Sequence, residues 1–327
     1  MRNGAAFLLA LAMVCAAINS GLPSLRVSGI SEKLDVLRDR RGEIDTVFVG
    51  SSRVYHAFDP EQFDREIAAR GGSLRSFNFG VDGMRPPESF YVLRELLKLR
   101  LPLRRVFIEL GDIHPKVNAA NIDTARYVHW HDLRHTVLAL RQIIGSAAAT
   151  RIKGEEGLVH AGCFVRRLSN FGRGPEWLAE RLRGPQKPWR AELPWRDHAG
   201  FEAQTNPLLA GARRASYEAA VTYLKEHDLP RAAVSPLLGA ALRALVAEVR
   251  AAGAEPVFVI TPTVLARENL ADVATAGVDA PVIAFTDPRR HPRVFRAENH
   301  CDEEHLTATG AAEFTRALAE EFARQAR

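Results

Sequence analysis

The chain has 327 residues, 46% of them hydrophobic, and a formal net charge of +5. Apolar content at that level excludes a disordered or low-complexity chain and suits one large α/β domain, or one domain carrying a sizeable insertion. The basic excess is arginine scattered along the chain rather than gathered in one block, so no nucleic-acid-binding tail or stripe is indicated, and it favours an acidic or polyanionic partner only weakly.

Arg2 gives the chain a basic start, and Ala5 to Ile18 then runs without a charge. A membrane span needs about 20 residues, so the run suits the apolar region of a signal peptide, with small residues at Cys15 and Ala17 offering a cleavage site. Residues 1–20 are therefore expected to be a signal peptide or a retained membrane anchor, which makes the rest extracytoplasmic: periplasmic, or membrane-anchored and facing outward. A buried N-terminal helix is the alternative. Ala12, Met13 and Val14 before Cys15 do not form a lipobox. If the chain is exported, Cys163 and Cys301 have the chance to pair, but their spacing does not show that they meet. No Cys-x-x-Cys exists, so a thiolate zinc site of the usual spacing is absent.

Asp45 to Gly50 is a β-branched run ending in small residues and predicts a buried parallel strand. Arg75 to Gly80 predicts a second strand, after which Pro86 and Pro87 open a helix with Phe90, Leu93, Leu96 and Leu97 at helical spacing. Arg105 to Leu110 is a third strand, Pro256 to Thr261 a fourth, preceded by a helical stretch Leu237 to Ala252, and Ala280 to Phe285 a fifth. A helix from about Thr307 to Arg324 closes the chain. Alternating strands and helices predict a three-layer, doubly wound α/β domain over residues 45–325 with a parallel sheet covered on both faces. The third and fourth strands are too far apart for one crossover helix, so residues 115–233 are expected to be an insertion, largely helical, with Leu133 to Ile144 the clearest pattern.

Ligand sites in such folds lie at the carboxyl ends of the strands. Three ends carry unusual sequence: Gly50-Ser51-Ser52-Arg53, Asn78-Phe79-Gly80-Val81-Asp82-Gly83 and Glu109-Leu110-Gly111-Asp112. Asp302-Glu303-Glu304-His305 stands just before the last helix. A serine hydroxyl is a poor nucleophile until a base takes its proton, histidine is suited to that work near neutral pH, and an aspartate can hold the imidazole in the right tautomer.

These four segments, in this order, resemble the SGNH/GDSL hydrolase superfamily. Gly50-Ser51-Ser52 resembles the nucleophile block, with Ser52 on the serine position, and Asp302 and His305 match the late Asp-x-x-His. The continuation His305-Leu306-Thr307-Ala308-Thr309-Gly310 is similar to the run into the family's final helix. The resemblance covers roughly residues 45–112 and 235–325. It implies a flavodoxin-like sheet, a catalytic triad of Ser52, Asp302 and His305, an oxyanion hole made by the N–H groups of Gly83 and Ser52, and neither cofactor nor metal.

One block departs from the family. Where a Gly-x-Asn-Asp supplies an asparagine to the oxyanion, this chain reads Gly111-Asp112-Ile113-His114. Loss of one such donor costs about 10²–10³ in rate. Asn78, His114 and Asn118 are the candidates to replace it, and Asp112 should point away because an ionised carboxylate only accepts. Divergent relatives lacking the asparagine include proteins tied to exopolysaccharide O-acetylation. Arg53, Tyr55, His56, His114 and Asn118 are candidates for a substrate cleft, and Arg53 could equally be a salt bridge supporting the turn. His131 and His135 have a zinc-compatible i, i+4 spacing but no HExxH glutamate and no obvious third ligand; a carbohydrate-facing aromatic patch or plain packing are the other readings of this stretch.

Together these expectations describe a serine esterase or O-acyltransferase acting on acyl groups, acetyl above all, of a cell-envelope or secreted glycan, or on a small ester. The alternative is a non-catalytic glycan-binding or assembly protein that keeps the fold, which the missing asparagine favours. A lipid esterase would demand an apolar acyl channel.

Overall fold

The computed structural model describes residues 2–21, 26–110, 124–146, 148–169, 182, 193–230, 235–265 and 277–325. In chain order the elements are α1 (Arg2–Gly21), α2 (Ile30–Asp39), β1 (Thr46–Gly50), α3 (Ser52–Tyr55), α4 (Pro60–Ala68), β2 (Ser76–Gly80), α5 (Glu88–Lys98), β3 (Arg105–Glu109), α6 (Ala125–Trp130), α7 (Leu133–Gly145), α8 (Thr150–Ser169), α9 (Gly211–Glu226), α10 (Pro236–Ala251), β4 (Glu255–Ile260), β5 (Val282–Ala284) and α11 (Ala308–Gln325). They fall into two compact units, residues 1–32 with 114–193 and residues 33–113 with 194–327.

The second unit is α/β. Its five strands are all parallel, in the order β2-β1-β3-β4-β5. Each of the five lies within two residues of its expected place, because a short β-branched and aromatic run between turn residues has few other ways to bury itself. Residues of β1 and β2 are buried on both faces of the sheet, the pattern of strands covered on both sides.

One face is aromatic. Phe48 stacks on Phe107 at 4.1 Å between ring centroids and meets the edge of Phe63 at 5.2 Å. Phe63 comes from α4, which starts at Pro60 because Asp59 accepts the N–H of Gln62 at 3.0 Å and proline fits the first turn. The last helix, α11, packs beside α4 and adds Phe314 and Leu318 to the same core. Truncating one of these phenylalanines to alanine would cost about 3–5 kcal/mol.

Residues 194–230, read from the sequence as the end of the insertion, group with the sheet. Tyr217, Val221 and Leu224 of α9 join the core that holds Phe48. Periodicity does not say which core an apolar stripe enters. Ahead of α9, Asn78 N–H on edge strand β2 donates to Ala199 O at 2.8 Å. The approach is so close that a Cβ on Gly200 would lie 2.1 Å from Asn78 O, and Gly200 has φ +91°.

The first unit contains α1, α6, α7 and α8. Its α1 is apolar and packs on α8. Among the described residues, no helix is long and apolar enough to cross a membrane. Cys163 and Cys301 are not joined by a disulfide.

Candidate active site

The turn after β1 is built to present Ser52. Ser51 caps the short α3 by accepting the N–H of Arg53 at 3.2 Å, and its own N–H donates to Glu109 Oε2 at 2.6 Å. The side chain of Ser52 is thereby left at the carboxyl end of β1, the first position of α3.

From the far end of the chain, the segment before α11 brings Asp302 and His305. Asp302 Oδ1 accepts the N–H groups of Glu304 and His305, both at 2.8 Å, which folds the four residues into one tight turn. His305 Nδ1 lies 2.9 Å from Asp302 Oδ2. An ionised carboxylate only accepts, so Nδ1 carries the proton and Nε2 is left as the acceptor. Ser52 Oγ lies 2.8 Å from His305 Nε2 and donates to it. Ser52, His305 and Asp302 thus form one hydrogen-bonded line, with the His305 and Asp302 side chains 24% and 26% exposed.

The electrostatics follow the geometry. The Asp302 bond raises the pKa of His305 above the ordinary histidine value, against a smaller opposing effect of burial; Asp302 and Glu304 also raise it by charge, and Arg53 lowers it. Burial works to raise the pKa of Asp302, but its hydrogen bonds from His305 and the Glu304 N–H outweigh that and hold it at about 2. Asp302 is therefore ionised and His305 is a strengthened base.

Around the line, Arg53 takes the supporting role that the sequence left open. Its Nε lies 2.8 Å from Glu109 Oε1 and its Nη1 3.5 Å from Glu304 Oε1. His56 is also engaged: Nδ1 is 2.7 Å from Glu202 O and Nε2 is 3.2 Å from Asp82 Oδ1. Tyr55 hydrogen-bonds Glu202, and burial followed by that bond pushes its pKa up. Gly83 follows β2 with φ +66°, and a Cβ there would meet nothing within 4 Å, so its glycine answers a backbone need and leaves the loop open.

Asn78 is not an oxyanion donor. Its amide nitrogen donates to the carbonyls of Val54, Tyr55 and Phe58 at 2.7–3.2 Å, and its oxygen accepts Gly80 N–H at 2.8 Å. A side-chain amide has two N–H groups, and these are spent on the α3 turn. His114, Asn118 and Asp112 lie outside the described residues.

Two contributors escaped the sequence reading. Glu109 had a signal, a carboxylate closing the apolar run Val106-Phe107-Ile108. Lys33 had none. It is 1% exposed and its three N–H groups go to the carbonyls of Asn78, Gly80 and Gly200 at 2.7–3.0 Å, with its Nζ 4.2 Å from the Tyr55 ring centroid. Burial pushes its pKa well below the usual lysine value, against the opposing charges of Asp82 and Glu202.

His131 and His135 belong to the first unit, and Ser52, His305 and Asp302 to the second. His131 Nε2 is 2.8 Å from His160 Nδ1, and His135 Nδ1 is 2.7 Å from Asp132. Among the described residues no group of three or more His, Cys, Asp or Glu could hold a metal ion.

No protein-family model matches the chain, and no curated protein matches it.

Proposed function

We propose that the chain is an exported serine esterase or O-acyltransferase of the SGNH/GDSL type. The observation that carries the reading is the line from Ser52 Oγ through His305 Nε2 and Nδ1 to Asp302, assembled from residues 253 positions apart. The strand order β2-β1-β3-β4-β5 supports it, being that of flavodoxin-like sheets, whose ligands sit at the strand carboxyl ends.

In the proposed reaction Ser52 Oγ attacks the acyl carbonyl while His305 Nε2 takes its proton, and Asp302 stabilises the imidazolium. The oxyanion is received by the N–H groups of Ser52 and Gly83, joined by a donor from the loop after β3. His305 then returns the proton to the leaving alkoxide. Water resolves the acyl-enzyme in hydrolysis, and a sugar hydroxyl resolves it in transfer. No cofactor enters any step.

The glycan substrate comes from the family resemblance, and acetyl is the acyl group proposed. Export rests on the uncharged run Ala5 to Ile18; a reporter fused after residue 40 should be active only outside the cytoplasm. The second reading, a non-catalytic glycan-binding or assembly protein, rests on Gly111-Asp112-Ile113-His114 standing where the family has its asparagine. Hydrolysis of para-nitrophenyl acetate separates the two. Turnover by the natural chain that disappears in Ser52→Ala supports the esterase, and equal rates for both favour the binding protein.

A further inference from the structure

We infer that Arg53 and Glu109 are positioning residues that lock the His305 turn onto the Ser52 turn, an inference that rests on the serine-hydrolase reading above. Ser52 and His305 are supplied by opposite ends of the domain, and their 2.8 Å approach must be held by something other than their own bond. Glu109 is the hub. It lies at the carboxyl end of β3, its side chain is 6% exposed, and it collects the Ser51 N–H at 2.6 Å, Arg53 Nε at 2.8 Å and Thr261 Oγ1 at 3.2 Å. The nucleophile turn, β3 and the end of β4 therefore share one carboxylate. Arg53 carries the tie outward, since its Nη1 faces Glu304, the residue before His305. The other side of the His305 turn is fixed by Glu303 O, which accepts Val264 N–H at 3.1 Å and Thr263 Oγ1 at 3.3 Å.

A stability role alone does not explain this arrangement. Replacing a buried ion pair by apolar side chains is often neutral or stabilising, whereas the guanidinium here faces two separate carboxylates, Glu109 at 2.8 Å and Glu304 at 3.5 Å. It also acts on the base by charge. His305 faces Asp302 and Glu304 from its own turn, Arg53 from α3, and Asp82 from the loop after β2. Arg53 opposes the three carboxylates, so it limits how far His305 is raised and keeps it neutral at lower pH.

The test is the pH profile of kcat and KM for para-nitrophenyl acetate in Arg53→Gln, Arg53→Lys and Glu304→Gln, beside the natural chain and Ser52→Ala. Arg53→Gln should lower kcat about 10–100-fold, the range a misplaced catalytic group produces, with KM nearly unchanged. Its acid limb should move up by about half a unit, since a neighbouring cation has been removed. Glu304→Gln should move that limb down with a smaller loss of kcat. Arg53→Lys should restore the limb but recover only part of kcat, because lysine keeps the charge and loses the fork. Opposite displacements in the glutamine variants are a signature that general loosening would not produce. The inference is overturned if the natural chain is active, Ser52→Ala is dead, and Arg53→Gln keeps both kcat and the limb, or if both limbs move the same way. If Arg53→Gln does not fold, the direction of the limb in the partly exposed Glu304→Gln decides alone. If the natural chain and Ser52→Ala are equally inactive, the serine-hydrolase reading fails and this inference falls with it.

Discussion

The chain contains the same four-residue device twice. In Asp132-Leu133-Arg134-His135 and in Asp302-Glu303-Glu304-His305 the aspartate Oδ1 accepts the backbone N–H of the histidine three residues on, at 2.8 Å in both. In both, the histidine Nδ1 also meets that carboxylate, at 2.7 Å and 2.9 Å. The two aspartates are displaced in the same direction: burial works to raise each pKa, and the histidine bonds outweigh it. What differs is the surroundings. The first device caps α7, and His135 is 1% exposed. The second is a quarter exposed and has Ser52 at 2.8 Å from its free ring nitrogen. The motif delivers an Nδ1–H to a carboxylate wherever it folds; a serine brought from the other end of the chain is what turns it into a candidate triad.

The largest expected break between the two devices is catalytic. Ser52→Ala and His305→Asn should each lower para-nitrophenyl acetate turnover by at least about 10³, and Asp302→Asn by about 10²–10⁴, as removal of triad members does elsewhere. Equal losses in His135→Asn, measured per folded molecule, would mean that the second device is not special.

A stability effect comes next. Lys33→Met leaves the carbonyls of Asn78, Gly80 and Gly200 without their donor, and should cost about 2–4 kcal/mol in urea unfolding. A change under about 0.5 kcal/mol would contradict the part given to Lys33 in holding the end of β2.

Titration sharpens the comparison in another way. His305 must be neutral to accept the serine proton, and its pKa is raised, so activity should fall with acid through a midpoint above the ordinary histidine value of 6.5. His131, which stacks on Trp130 at 3.7 Å between centroids, is lowered by burial to about 3. The unfolded chain then binds a proton near pH 6.5 that the folded one refuses until about pH 3, so stability is lost as pH falls through that window. Urea unfolding of the natural chain should weaken from pH 7 towards pH 4, and His131→Phe should flatten the slope. Identical slopes would remove His131 from the account.

The smallest effect is expected at His135 itself. His135→Asn should leave turnover within about twofold, with its cost confined to stability.

Much of the sheet was legible because β1 to β4 are short apolar runs whose burial admits one local conformation. The candidate triad residues were legible because Ser52 follows β1 and Asp302 and His305 share one turn, so each was marked by local sequence. Arg53 was legible as a salt bridge supporting the turn, but not its partners, which lie 56 and 251 residues away. Glu109 and Lys33 were not assigned their parts, because those depend on distant partners too, for Lys33 on three carbonyls from two segments. Asn78 was misread for the opposite reason: its place near the carboxyl end of β2 suggested a donor by proximity in sequence alone, and its amide is consumed by the carbonyls of Val54, Tyr55 and Phe58.

The central claim is that Ser52 is an activated nucleophile. Treatment with a fluorophosphonate probe followed by peptide mass analysis tests it most directly. The account predicts a single covalent adduct on the peptide carrying Ser52, lost in Ser52→Ala, slowed strongly in His305→Asn and unchanged in His135→Asn. An unlabelled natural chain, or labelling that persists in Ser52→Ala, would contradict it.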